Sequence, residues 1–279
     1  MTGIDTYMVT GGPGVKPLSG STVENFGTAI QGIFNPMFTE LVLHRTFANL
    51  SWPAFALAAW ASLMYIRAKT SEDKAFFDWA SSVGLTWGVG FLLLMPVIGF
   101  STVYALKESR PGGSGPAAGG AYERLTEGAT SNLLLINLIF VVGLFVLSNL
   151  AMFWGAERHP DHAGRVPIRF FGLVAAVAGL YSISPLAQWP FLYMRYIMML
   201  IMVLATFGAF VTYFRGRLRF SYGSPGAGYR ITLMVLGTLA AVVALNMGFM
   251  KSNSRVPYTV YNQPDYSVES NPPPSGFGR

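Results

Sequence analysis

The chain contains no cysteine. Without a thiolate it holds no iron–sulfur cluster, no covalently attached c-type haem, no disulfide and no cysteine nucleophile. Histidine is nearly absent too, at three residues, so any metal chemistry rests on very few ligands. Charge is equally scarce. Asp, Glu, Lys and Arg make up 11% of the 279 residues, against about 25% in an average soluble domain. What fills the chain is apolar: 52% of it is hydrophobic and its mean hydropathy is +0.43. A chain of this length buries so much apolar mass only in lipid or against partners. That balance argues against a soluble enzyme, a disordered chain and a secreted disulfide scaffold. The net charge of +6 does not point to nucleic acid. The basic residues are scattered through short loops between apolar runs, where a juxtamembrane position accounts for them.

Six apolar spans follow one another: Leu41–Ile66, Trp79–Leu106, Asn132–Trp154, Phe170–Ala187, Pro190–Phe214 and Ile231–Met250. Most are close to the roughly 20 residues that cross about 30 Å of hydrocarbon as a helix. Pro96 is expected to kink the second. The fourth ends in Ser-Ile-Ser-Pro and reads as short, kinked or partly re-entrant. The fold class is therefore an all-α integral membrane protein, a bundle of about six transmembrane helices over residues 40–250. Extended tails flank it at 1–39 and 251–279. The first tail has no charged stretch leading into an apolar run, so no cleaved leader is expected.

Counting Lys and Arg orients the bundle. The loops after the first, third and fifth spans carry ten, among them Arg67, Arg158, Arg165 and Arg230; the other side carries seven. The richer side is expected to be cytoplasmic, which puts both termini in the periplasm or exterior.

Of the three histidines only His44 lies inside a span, near its outer end. A neutral imidazole at that depth is a candidate haem iron ligand; the alternative is an interfacial ring bonded to a backbone carbonyl. His159 and His162 fall in a polar loop, Glu157-Arg-His-Pro-Asp-His, which reads as a solvated turn. Three histidines cannot supply the four helical ligands of a di-haem b subunit; the chain can hold at most one or two haems, with a non-His second ligand such as a methionine thioether. The fifth span offers Met194, Met198 and Met202 at i, i+4 and i+8, on one helical face. Met194 and Met198 lie at about the depth expected of His44. Arg195, a charge inside the same span, is placed to pair with a haem propionate; packing methionines and an outward-snorkelling arginine are the alternative. The loop after the second span holds Lys107, Glu108 and Glu123, groups suited to taking protons from a quinol or simply solvated. Lys69–Asp78 reads as a plain cytoplasmic amphipathic turn. No P-loop, zinc site or serine triad is present.

Asn35-Pro36, then His44 on the following helix, a short charged loop, a Gly-rich helix and then an outer loop resemble part of subunit I of the cytochrome bd quinol oxidases. The chain is also similar to short bacterial proteins like that subunit, through His44-Arg45 with Asn49, Asp78-Trp79 at the entry to the second span, and Gly143–Asn149. The similarity covers about residues 35–155. It implies that His44 binds the low-spin haem b and that the next outer loop, with Lys107 and Glu108, meets the quinol. In that family four helices carrying oxygen-site ligands precede this histidine. Here only residues 1–39 do, so the resemblance implies the quinol-oxidising part without the oxygen-reducing centre. The family's second haem ligand is a methionine on the helix after the loop. That helix reads Leu-Leu-Leu-Ile-Asn137 here and has none, which leaves Met194 or Met198.

Two function classes follow. One is a haem b subunit of a respiratory electron-transfer complex in the bacterial inner membrane, an electron-transfer component rather than a stand-alone enzyme. Its expected partners are quinone, the lipid bilayer and other membrane redox subunits, including a c-type cytochrome. The other is a haem-free anchor or assembly subunit of such a complex, with Gly172–Gly179 and Gly237–Ala241 allowing close helix packing.

Overall fold

A computed structural model describes residues 30, 34, 38–108, 131–190, 193–253, 259–260 and 263–264. Seven α-helices make up nearly all of it: α1 (Phe38–Arg67), α2 (Ser71–Leu92), α3 (Met95–Glu108), α4 (Ser131–Gly155), α5 (His162–Ile183), α6 (Met194–Gly216) and α7 (Ala227–Asn253). Short 3-10 turns follow α4, α5 and α6. A two-residue β-hairpin pairs Thr259 with Pro264 and Val260 with Gln263.

Five stretches are long and apolar enough to span a membrane: Ser71–Tyr104, Ser131–Arg158, Ala163–Ile183, Met194–Arg219 and Ala227–Met250. Only 28–33% of the most apolar window of each is buried within the protein, so most of this apolar surface requires lipid as its solvent. The chain is an all-α, multi-pass membrane protein. The first expected span lies in α1, 30 residues long, but Asn49, Ser51, Pro53 and Ser62 dilute its apolar run and it is not among the five. The fourth span is not short. It fills a 22-residue helix that begins at His162, because Asp161 caps it by accepting the Ala163 N–H at 2.9 Å, and it ends at Ile183 before Ser184-Pro185.

The second span breaks where proline dictates. Leu93 and Leu94 form a turn between α2 and α3, with Leu94 N–H bonding to Phe91 O at 3.2 Å; Pro96, second residue of α3, has no N–H to continue the ladder. At the other end of α2, Thr70 Oγ1 accepts the Asp73 N–H at 3.1 Å, and Glu72 and Asp73 complement the helix dipole. Thr70→Ala is expected to lower the thermal stability of the detergent-solubilised protein by about 1 kcal/mol.

The described chain divides into two compact units. One comprises residues 47–94 and 137–245. Its core is built from Phe55 of α1, Leu85 and Val89 of α2, Val142, Phe145 and Met152 of α4, Ile168 of α5, Tyr213 of α6 and Leu233 and Leu236 of α7. Close contact between α1 and α2 depends on Gly84. A Cβ there would meet Ala54 O and Ala58 N at 2.7 Å. One polar bond ties the interior of α4 to α6: Asn149 Nδ2 donates to Thr206 Oγ1 at 2.6 Å. The second unit comprises residues 1–46, 95–136 and 246–279. Within it Asn246 Nδ2 on α7 reaches Leu133 O on α4 at 3.4 Å, and Phe34 packs edge-on to Phe38 at 4.7 Å.

Candidate functional site

The sequence-derived candidates fall in both units. His44 is the seventh residue of α1, half-buried. Glu40 lies one turn before it on the same helical face, and Glu40 Oε2 is buried with no hydrogen-bond partner among the described residues. Met194, Arg195 and Met198 belong to the other unit, in the first two turns of α6. All three are half-buried. Met198 packs against the hydrophobic core, and Arg195 Nε is buried without a partner. Met202, one turn further, is buried, and its sulfur lies so close to Gly179 that a Cβ there would sit 2.8 Å from it. Lys107 and Glu108 end α3, and their side chains lie outside the described residues. Asn35-Pro36, the loop at 109–130 with Glu123, and the His162 side chain also lie outside them. Among the described residues no group of three or more His, Cys, Asp or Glu could hold a metal ion.

The most developed polar constellation lies where the sequence suggested only solvated loops. Asp78, in α2, is 1% exposed and Arg158, just past α4, is 5% exposed. They form a buried ion pair through Asp78 Oδ1 and Arg158 Nη1. The other carboxylate oxygen accepts the Gly223 N–H at 2.9 Å, in the segment between α6 and α7. Arg158 Nη2 donates to the Tyr213 hydroxyl at 3.0 Å, and that hydroxyl shares a 3.0 Å bond with Ser82. The guanidinium also lies 3.9 Å from the centre of the Tyr229 ring, a cation–π contact. Gly223 has φ +112°, a conformation L side chains rarely adopt. That turn aims its N–H at Asp78 and its carbonyl at the Tyr65 hydroxyl, 2.9 Å away. Ser221 N–H closes the group on Arg158 O at 3.0 Å.

The helix ends flanking the α1–α2 loop thus meet the connections after α4 and α6 through Tyr65, Asp78, Arg158 and Gly223. These are the three loops that the Lys and Arg count assigns to one side. Burial also pushes the Tyr222 phenol above its usual range; it is a neutral donor to Arg217 O at 3.1 Å.

His159 is not a solvated residue. It is 5% exposed, edge-on to Phe220 at 5.9 Å, and its Nδ1 accepts the Asp161 N–H at 3.1 Å. Arg165 Nε grips its carbonyl at 2.8 Å. Sequence reasoning placed Asp78 in an amphipathic turn and Arg158 and His159 in a solvated one, because charges at span ends are normally hydrated. One signal did exist. Asp78 sits inside Phe76-Phe77-Asp78-Trp79, where a lone carboxylate among aromatics needs a partner.

Comparison with known protein families, curated proteins and solved structures finds no match for this chain.

Proposed function

We propose that the protein is an integral membrane subunit of a respiratory electron-transfer complex that binds one haem b through His44 and exchanges electrons with a quinone. One observation supports this reading above the others. Of the three imidazoles, His44 alone lies within the body of a long helix, while His159 is committed to the buried network and His162 opens α5. A bound haem b would supply reversible one-electron transfer. On the protein side His44 would give a neutral ring nitrogen as a ligand to its iron. Glu40, with its unsatisfied buried oxygen, is the carboxylate best placed along the helix to fix the ring's tautomer. Lys107 and Glu108 are the proposed quinone-side groups. Met194, Met198 and Arg195 enter as variants to be tested alongside. The cytoplasmic membrane of a bacterium, with the Arg158 end inside and both termini periplasmic, fits the charge count. A c-type cytochrome and further membrane subunits would complete the circuit.

The purified protein is expected to give a b-type band in a reduced-minus-oxidised spectrum. His44→Ala should abolish it and His162→Ala should leave it unchanged. Met198→Leu and Arg195→Gln spectra report whether those side chains take part. A flat wild-type spectrum removes the haem reading. A second reading, a haem-free anchor or assembly subunit, draws on the buried Asp78–Arg158 pair and the close α1–α2 contact at Gly84, which suit a rigid scaffold. Co-purification of redox subunits with no pigment in this chain would favour it.

A further inference from the structure

We propose that a cavity at the Arg158 end binds the zwitterionic headgroup of a phospholipid bearing a primary amine, of the phosphatidylethanolamine type. The cavity measures about 220 Å³, far above the roughly 15 Å³ that one water needs. Its lining comes from two stretches, with Trp154, Glu157 and Arg165 on one and Ser221, Ser224 and Tyr229 on the other. Its walls therefore lie where the spans ending at Arg158 and Arg219 stop and those starting at Ala163 and Ala227 begin, at headgroup level if the spans cross a bilayer. This inference does not depend on haem.

The walls carry one unspent charge of each sign. Glu157 is exposed and makes no ion pair or hydrogen bond among the described residues. Among the described residues Arg165 spends only Nε, on His159 O, which leaves both terminal nitrogens as donors. Arg158 contributes no net charge, because Asp78 neutralises it. Ser221 and Ser224 line the same cavity, and Trp154 and Tyr229 add aromatic walls. A guanidinium with two hydroxyls suits a phosphodiester. A carboxylate with aromatic rings suits an ammonium. An anionic headgroup would satisfy Arg165 but face Glu157. A quaternary ammonium would satisfy the charge of Glu157 but offer no N–H.

The test uses the full chain in detergent micelles and titrates short-chain phosphatidylethanolamine, phosphatidylcholine, phosphatidylglycerol and O-phosphoethanolamine, with the shift in thermal midpoint as readout. Saturable stabilisation by phosphatidylethanolamine is expected. Phosphatidylcholine and phosphatidylglycerol should each bind about tenfold more weakly, the size of one lost charge-assisted hydrogen bond. Glu157→Gln, at an exposed position, should erase the preference over phosphatidylcholine, and Arg165→Gln should weaken all three lipids about tenfold. Equal binding of the three lipids overturns the proposal. So does O-phosphoethanolamine binding as tightly as the lipid, which would mark a site for a soluble solute, and so does an absence of saturable binding.

Discussion

Arg158→Ala is expected to destabilise the protein by about 3–5 kcal/mol, the typical cost of leaving one member of a buried ion pair without its partner. Asp78 would keep the Gly223 N–H but lose its counter-charge while 1% exposed. Tyr213 would lose a donor and Tyr229 a cation over its ring. Asp78→Ala should cost a similar amount, because it strands a guanidinium that is 5% exposed. Arg158→Lys should recover little. An ammonium can pair with Asp78, but it lacks the planar fork that also reaches Tyr213 and the flat face that lies over Tyr229. The decisive comparison is the double variant Asp78→Leu/Arg158→Met. Removing both charges removes the stranded ion, so the double variant should lie closer to the parent than either single variant does. A denaturant titration, in micelles, of the parent, the double variant and its two constituent single variants Asp78→Leu and Arg158→Met measures that coupling. Strictly additive losses would show that the two side chains act independently.

The second large effect concerns a single methyl group. Gly84→Ala places a Cβ 2.7 Å from both Ala54 O and Ala58 N, and 3.0 Å from Ala58 Cβ. The first two are backbone atoms of α1, so no rotamer change relieves the clash and the two helices must move apart around the buried Phe55. Overpacking of this kind costs about 1–3 kcal/mol in a well-packed core. Gly84→Leu should exceed that and prevent folding. Gly99→Ala in α3 is the control, since nothing lies within 4 Å of its added carbon. There the better helix propensity of alanine should raise stability by up to about 1 kcal/mol. Thermal midpoints of the two alanine variants should therefore move in opposite directions.

Residues 71–250 show which features of this fold could be read in advance. Runs of about 20 apolar residues specify spans whatever their neighbours, because hydrocarbon demands that every backbone group be satisfied within the helix. Pro96 marked its break for an equally local reason, a missing N–H. The extent of α5 was less legible. Its start depends on the Asp161 cap, and Ser-Ile-Ser-Pro resembled a disruption when it is simply the end. The Asp78–Arg158 pair was not legible at all, since its members lie 80 positions apart and each alone resembles an ordinary hydrated charge at a helix end. His159 misled for the same reason, because its burial comes from Gly164, Gly216 and Phe220 closing around the ring. The sequence singled out His44 and the α6 methionines by their places in the spans, and the two fall in different units. Nothing in a linear pattern identifies a cavity whose walls come from two separate connections.

The order of synthesis gives the Asp78 pairing a further consequence. The carboxylate leaves the ribosome well before its guanidinium partner, and the Gly223 turn that takes its other oxygen comes later still. During that interval the α1–α2 hairpin carries an unmatched anion, which favours keeping that end at the water boundary rather than deep in lipid. Arrival of α4 neutralises the anion, and the turn before α7 then seals it. Closure of this end is thus completed by the turn before the last helix, and a nascent chain stopped before residue 223 would hold the ion pair without its backbone seal.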